Sequence, residues 1–256
     1  MPLGDLTASL LPEPVNARAE FRARAQGTIA GKLCVIETFT QVNPTVVVDW
    51  RIEDGEEVDE NAAFATVSGD LASILTAERT ALNLLCHLSG IATTTRRFVR
   101  AARGKALIRD TRKTTPGLRT LEKAAVRAGG GANHRGSLSD GILVKDNHLR
   151  GISITEAVRR AHFRWPGRVV EVECDNASQV DEAVAAKADM IMLDNMSPAE
   201  VAAIVARVGG AVPLEVSGGV SIQTVGAYAD AGPAFISIGS ITHSAPILDI
   251  GLDLQP

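Results

Sequence analysis

From residue 105 onward the chain repeats one pattern: a short apolar segment, a polar loop, then a stretch with helical spacing. Strands are predicted at 106–109, 141–145, 169–173, 189–194, 213–217 and 234–239. Helices are predicted between most of them, at 119–129, 153–164, 177–187, 198–208 and 222–231. Strand–helix alternation of this kind requires right-handed crossovers and a parallel sheet. Six or seven such units suit a β/α barrel short of eight strands, with a doubly wound open sheet as the competing architecture.

The first 75 or so residues read differently. Short β-type segments at 27–36, 44–50 and 63–68, with the acidic turn Glu53–Glu57 among them, predict a small α+β or β-rich domain. A long helix is predicted from about Leu71 to Ala102, where Leu82, Leu85, Leu88 and Ile91 recur at helical spacing and Gly90 marks a potential break.

Composition excludes several function classes. A formal net charge of −4 offers no general basic footprint for nucleic acid, and six Phe, two Trp and one Tyr in 256 residues make no base-stacking platform. Cys34, Cys86 and Cys174 are odd in number, far apart and without metal-ligand spacing, which predicts reduced thiols. No apolar run approaches the ~18 residues of a membrane span, and the first residues show no secretory signal. A cytoplasmic protein is expected.

The end of each repeat strand is chemically rich. The segments are Asp110-Thr111-Arg112-Lys113, Lys145-Asp146-Asn147-His148, Glu173-Cys174-Asp175, Asp194-Asn195, Ser217-Gly218-Gly219 and Gly239-Ser240. In a β/α barrel all of them meet at the C-terminal face, where such barrels place their chemistry. Arg112, Lys113, Arg135 and Lys145, with His134 beside Arg135, form a cationic group that only a polyanionic ligand would neutralise. Glu173 and Asp194 each end an apolar strand; such a pair suits Mg²⁺ bound through substrate phosphates, or a developing positive charge. Ser217, Gly218, Gly219, Gly239 and Ser240 offer backbone N–H groups to a phosphate on the last two strands. These residue types fit phosphosugar transfer, and equally a Schiff-base aldolase using Lys145.

Longer motifs add a resemblance. Residues 78–95, 110–123 (DTRKTTPGLRTLEK), 129–148 (GGGANHRGSLSDGILVKDNH), 169–174, 191–196 and 215–219 resemble the quinolinate phosphoribosyltransferase family, in order and over nearly the whole chain. The resemblance implies an N-terminal α/β sandwich domain over residues 1–100, on which a tail from about 245 to 256 packs back, and an incomplete six- to seven-stranded barrel over 101–244. It implies conversion of quinolinate and phosphoribosyl pyrophosphate to nicotinate mononucleotide, pyrophosphate and CO₂, with Mg²⁺. It implies a homodimer whose sites are shared, with Arg79 reaching the partner's site.

By the same resemblance, Arg112, His134, Arg135 and Lys145 hold the two carboxylates of quinolinate. Lys113 faces the pyrophosphate, and Glu173 and Asp194 lie near the ribose and the Mg²⁺-pyrophosphate, which makes their metal contact indirect. Lys113, Lys145, Glu173 and Asp194 are the expected catalytic set. The sequence Gly136-Ser137-Leu138 departs from the family, where a bulkier residue followed by Gly is usual, and is expected to loosen that loop. Two rivals remain: a molybdenum-transport-associated paralogue that lacks the Lys145–His148 motif, and a non-catalytic phosphate-binding barrel.

Overall fold

The computed structural model describes residues 2–11 and 15–256, which divide into two compact units. The first comprises Met1–Arg96, Leu121–Gly130 and Ser244–Pro256, and the second Arg97–Thr120 and Gly131–His243.

The first unit is built on a four-stranded antiparallel sheet. Strand β1 (Asn16–Ala23) lies between β12 (Ile250–Leu254) and β5 (Ala63–Asp70), and β5 also pairs with β3 (Val47–Trp50). The inward residues Ala19, Phe21 and Ala23 of β1 are fully buried, as a half-covered strand requires. Phe21 anchors an aromatic group, with ring centroids 6.2 Å from Phe39, 6.1 Å from Trp50 and 6.4 Å from Phe64. The C-terminal strand thus completes a sheet begun at the other end of the chain, with Ala19 opposite Leu254 and Ala23 opposite Ile250.

The second half of one predicted strand of this unit, 27–36, belongs to a helix. Only Gly27–Thr28 is extended (β2), pairing with β4 (Glu57–Val58); Lys32–Val42 forms α1. Gly31, at φ +110°, turns the chain, and the Asp54 carboxylate accepts from the N–H groups of Gly31 and Lys32 at 3.1 Å. The acidic turn therefore caps the helix, and Val35 and Phe39, four residues apart, enter the core together. Helix α2 spans Leu71–Ala102, the range read from the sequence. It does not break at Gly90: a Cβ there would run into the backbone of Pro246 and Ile247, so the glycine serves a close chain approach.

The second unit holds six parallel strands: β6 (Leu107–Arg109), β7 (Ile142–Val144), β8 (Val170–Cys174), β9 (Met190–Asp194), β10 (Leu214–Ser217) and β11 (Phe235–Ser237). Their spatial order is β6-β11-β10-β9-β8-β7, so the first and last strands of the repeat are neighbours. A doubly wound sheet reverses its strand order, whereas this one follows chain order around a curve that closes through β11 and β6. The remaining gap lies between β6 and β7. Ala132 partly fills it, donating to Ile108 O at 2.8 Å and accepting from Asp110 N at 3.2 Å.

Helices α4 (Ile154–Arg164), α5 (Ala177–Ala185), α6 (Pro198–Val208) and α7 (Val225–Asp230) follow β7, β8, β9 and β10. Their starts are chemically specified: Ser153, Asn176 and Ser197 accept from backbone N–H groups three residues on, and Ser197 forms a reciprocal box with Glu200. Strand periodicity sorts the barrel residues. Val170, Val172, Cys174, Ile191, Leu193, Val216 and Ile236 are buried on one face, and the alternate residues face the lumen.

Candidate active site

A cavity of about 400 Å³ opens in the second unit and is lined by the strand ends. Arg112 and Lys113 follow β6, His134 and Arg135 occupy the gap before β7, and Lys145 follows β7. Glu173 and Asp194 lie at the ends of β8 and β9, and Ser217, Gly218 and Gly219 at the end of β10. All of these residues, picked from the sequence, line the one cavity. Gly239 and Ser240 lie beside it: a Cβ on Gly239 would sit 3.2 Å from Lys113 Cδ, and Thr242 Oγ1 donates to Lys113 O at 2.7 Å. Arg79 stands on α2 in the first unit, with its side chain 76% exposed and Glu78 at 4.0 Å.

Local hydrogen bonds shape the cationic loops. Thr111 Oγ1 accepts from Lys113 N at 3.0 Å and sets the turn that presents both cations. Arg119, which opens α3 (Arg119–Ala128), donates to Arg112 O at 3.3 Å and to Gly136 O at 3.0 Å, tying the Arg112 loop to the chain after Arg135. The Gly136–Leu138 loop is not left loose: Asp140 accepts from Gly136 N, Ser137 N and Ser137 Oγ at 2.7, 3.0 and 2.6 Å. Burial, and next the positive charge of Arg112, hold the Arg135 guanidinium below its ordinary pKa. Such like-charge crowding is what an anion would relieve. Lys145 Nζ is ion-paired with Glu173.

Beneath these groups lies a buried polar layer that the sequence reading did not single out. Glu215 has no exposed surface; it accepts from Arg109 Nη1 at 2.6 Å and Ser237 Oγ at 2.5 Å. Arg109 also stacks over the Phe235 ring, 4.1 Å from its centroid. His134 Nε2 lies 3.0 Å from Glu171 and 3.4 Å from Glu215, while its Nδ1 accepts from Arg135 N at 2.7 Å. A ring that accepts at Nδ1 carries its proton on Nε2, so both nitrogens are engaged by protein groups. Asp110, fully buried, accepts from Asn133 Nδ2 and His134 N at 2.6 and 2.8 Å. The segment Asn133–Arg135 is thus pinned to the barrel floor from both sides.

Burial, and next the negative charge of Glu171, push the Glu215 carboxyl up. The signal for this layer was present in the strand periodicity: Glu171 and Glu215 share phase with Glu173 and Ser217 and so must face the lumen. Ligand atoms of His134, Glu171 and Glu215 lie within 4.8 Å of one another, close enough for a metal. Arg109 and Ser237 already occupy Glu215, however, and a cation there would displace a guanidinium.

Comparison with known proteins agrees with this geometry. The sequence matches the Quinolinate phosphoribosyl transferase N-terminal domain over residues 5–89 and the C-terminal domain over residues 91–253. It is 42% identical to a nicotinate-nucleotide pyrophosphorylase [carboxylating] of Mycobacterium leprae, covering 97% of this chain and 90% of the relative. It is 41% identical to a probable enzyme of the same name from Bacillus subtilis, covering 98% and 88%. The solved structure of the nicotinate-nucleotide pyrophosphorylase from Francisella tularensis superposes with a TM-score of 0.95 at 39% identity, covering 100% of this chain and 91% of that one. The chain belongs to the quinolinate phosphoribosyltransferase family.

Proposed function

We infer that this protein joins quinolinate to phosphoribosyl pyrophosphate and decarboxylates the adduct, giving nicotinate mononucleotide, pyrophosphate and CO₂ for NAD biosynthesis. The observation that carries this reading is the lining of one cavity by four cations, two carboxylates and a Ser-Gly-Gly loop. Arg112, Arg135 and Lys145 grip the two carboxylates of quinolinate; each charge-assisted bond contributes roughly 1.5–3 kcal/mol. His134 acts on the same ligand chiefly by holding Arg135 in place, since both its ring nitrogens face protein groups. The backbone of Ser217–Gly219, with Gly239 and Ser240, receives the 5′-phosphate, and Lys113 the pyrophosphate.

The chemistry follows from this placement. The ring nitrogen donates its lone pair to ribose C1 as the C1–O bond to pyrophosphate breaks. Glu173 and Asp194 stabilise the positive charge that develops on the ribose. Holding both reactants in register removes much of the entropic barrier. The ribosylated nitrogen is cationic, so it stabilises the electron pair left at the adjacent carbon when CO₂ departs, and that carbon then takes a proton.

The same carboxylates fit Mg²⁺, which prefers oxygen donors and keeps several waters; among the described residues the only close three-ligand cluster is the occupied one beneath His134. Glu173 and Asp194 would hold the ion through water, and when bound it supplies charge neutralisation for the pyrophosphate. A Schiff base at Lys145 is disfavoured, because its ammonium is paired with Glu173. The relatives' names favour the enzyme over the transport-associated paralogue.

Arg79 would complete the cavity of a second copy in a homodimer, a role that suits its exposure on α2. No helix among the described residues is long and apolar enough to cross a membrane, and the three cysteines are unpaired, which supports a cytoplasmic enzyme. The test is stoichiometry. Quinolinate labelled in its 2-carboxyl group, with phosphoribosyl pyrophosphate and Mg²⁺, should release one CO₂ per nicotinate mononucleotide. Release of neither product from folded protein would favour the non-catalytic barrel.

A further inference from the structure

Asn195, the residue after β9, stands in the left-handed region at φ +56°. Asparagine is one of the few residues besides glycine that adopt that conformation, because its short amide can hydrogen-bond locally. The backbone is held there from both sides. Asn195 N donates to Ser217 O at 2.9 Å, and Tyr228 Oη donates to Met196 O at 3.0 Å. The side chain uses both ends of its amide. Nδ2 donates to Asp194 Oδ2 at 2.6 Å, while Oδ1 fills the space where a Cβ on Gly218 would otherwise stand. Asp194, Asn195 and Gly218 all line the cavity.

We propose that Asn195 is a positioning residue for the transfer reaction, holding the Asp194 carboxylate in one orientation with one oxygen capped and the other directed to the ribose. The inference rests on the reading of Asp194 given above. A carboxylate at the end of a strand has free torsions, and a second oxygen without a donor would let it turn toward Lys113 or Lys145. The amide also links Asp194 to the phosphate loop, because Gly218 approaches as closely as it does only by lacking a side chain. If instead Asn195 is no more than a residue that tolerates the turn, glycine should replace it without loss.

That difference defines the experiment. Asn195→Gly removes the amide yet adopts φ +56° freely, whereas Asn195→Ala removes the amide and adds backbone strain. Melting temperature, KM for each substrate and the single-turnover rate, which reads chemistry apart from product release, are measured for both. Asn195→Gly should keep the wild-type melting temperature and KM for quinolinate while its single-turnover rate falls roughly 10- to 100-fold. Asn195→Ala should lose rate to the same degree and melt lower. In the Asp194→Asn background, Asn195→Gly should cost nothing further, because the group it acts through is already altered. A wild-type rate in Asn195→Gly, or losses that multiply in the double variant, would overturn the proposal. Full activity in Asp194→Asn alone would instead overturn the reading of Asp194 on which the proposal rests.

Discussion

Glu215 is the most demanding residue of the barrel floor, because its carboxylate is fully buried and Arg109 leans on it from one side. Replacing it with alanine leaves the guanidinium uncompensated, and the expected loss is about 3–5 kcal/mol by chemical denaturation. The cations above it line the cavity and are proposed to bind the substrate. Arg112→Ala and Lys145→Ala should each raise KM for quinolinate by roughly 10- to 100-fold, the worth of one charge-assisted bond, with the larger effect on quinolinate than on phosphoribosyl pyrophosphate. Residues at this scale were legible in the sequence where they cluster with others of their kind at strand ends, as Arg112, Lys145, Glu173 and Asp194 do. Glu171, Glu215 and Arg109 were not, because each lies below the chemically rich segment that ends its strand, and only the alternation of that strand shows which way it faces.

Helices begin where the sequence supplies a cap, and this explains both the success and the failure of reading elements from residues. The start of α6 is marked within the local sequence by Ser197, Pro198 and Glu200, and its range was read without error. The start of α1 depends on Asp54, more than twenty residues further along the chain, so the apolar run Leu33–Ile36 read as strand. Helix α4 carries a titratable example. Hydrogen bonds from Arg159 and Arg160 hold the half-buried Glu156 carboxyl down at about 2, against an ordinary value of 4.5. A lowered folded-state value means that the contribution is fully present above about pH 4.5 and fades as the pH falls toward 2. The difference in melting temperature between wild type and Glu156→Gln should therefore be constant near neutrality and vanish by about pH 2.

The thiols report on packing in both units. Burial raises all three, and Cys174, beneath the helices on β8, is pushed up to about 12. Iodoacetamide at pH 8 should label the half-buried Cys34 slowly, and Cys86 and Cys174 only after unfolding.

At the scale of the whole molecule, alternation of strand and helix was the strongest signal in the sequence, because six repeats with one chirality leave few topologies. Closure of the sheet through β11 and β6 was beyond periodicity, since it depends on which edges meet. The homodimer with shared sites proposed above is likewise beyond periodicity, because it depends on how two copies meet. Mixing Arg79→Ala with Arg112→Ala protein under subunit exchange should restore about a quarter of wild-type activity, since half the dimers are hybrids and each hybrid has one intact site. Recovery of no activity from confirmed hybrids would exclude sharing through Arg79.

By the function proposed above, the cationic cavity selects a pyridine diacid for phosphoribosyl transfer. The most direct test of that selection is kcat/KM for quinolinate and for nicotinate, measured side by side with phosphoribosyl pyrophosphate and Mg²⁺. Nicotinate leaves part of the cluster unpaired and should be at least about 100-fold poorer. Equal or better use of nicotinate would mean that the cationic cavity does not read the second carboxylate.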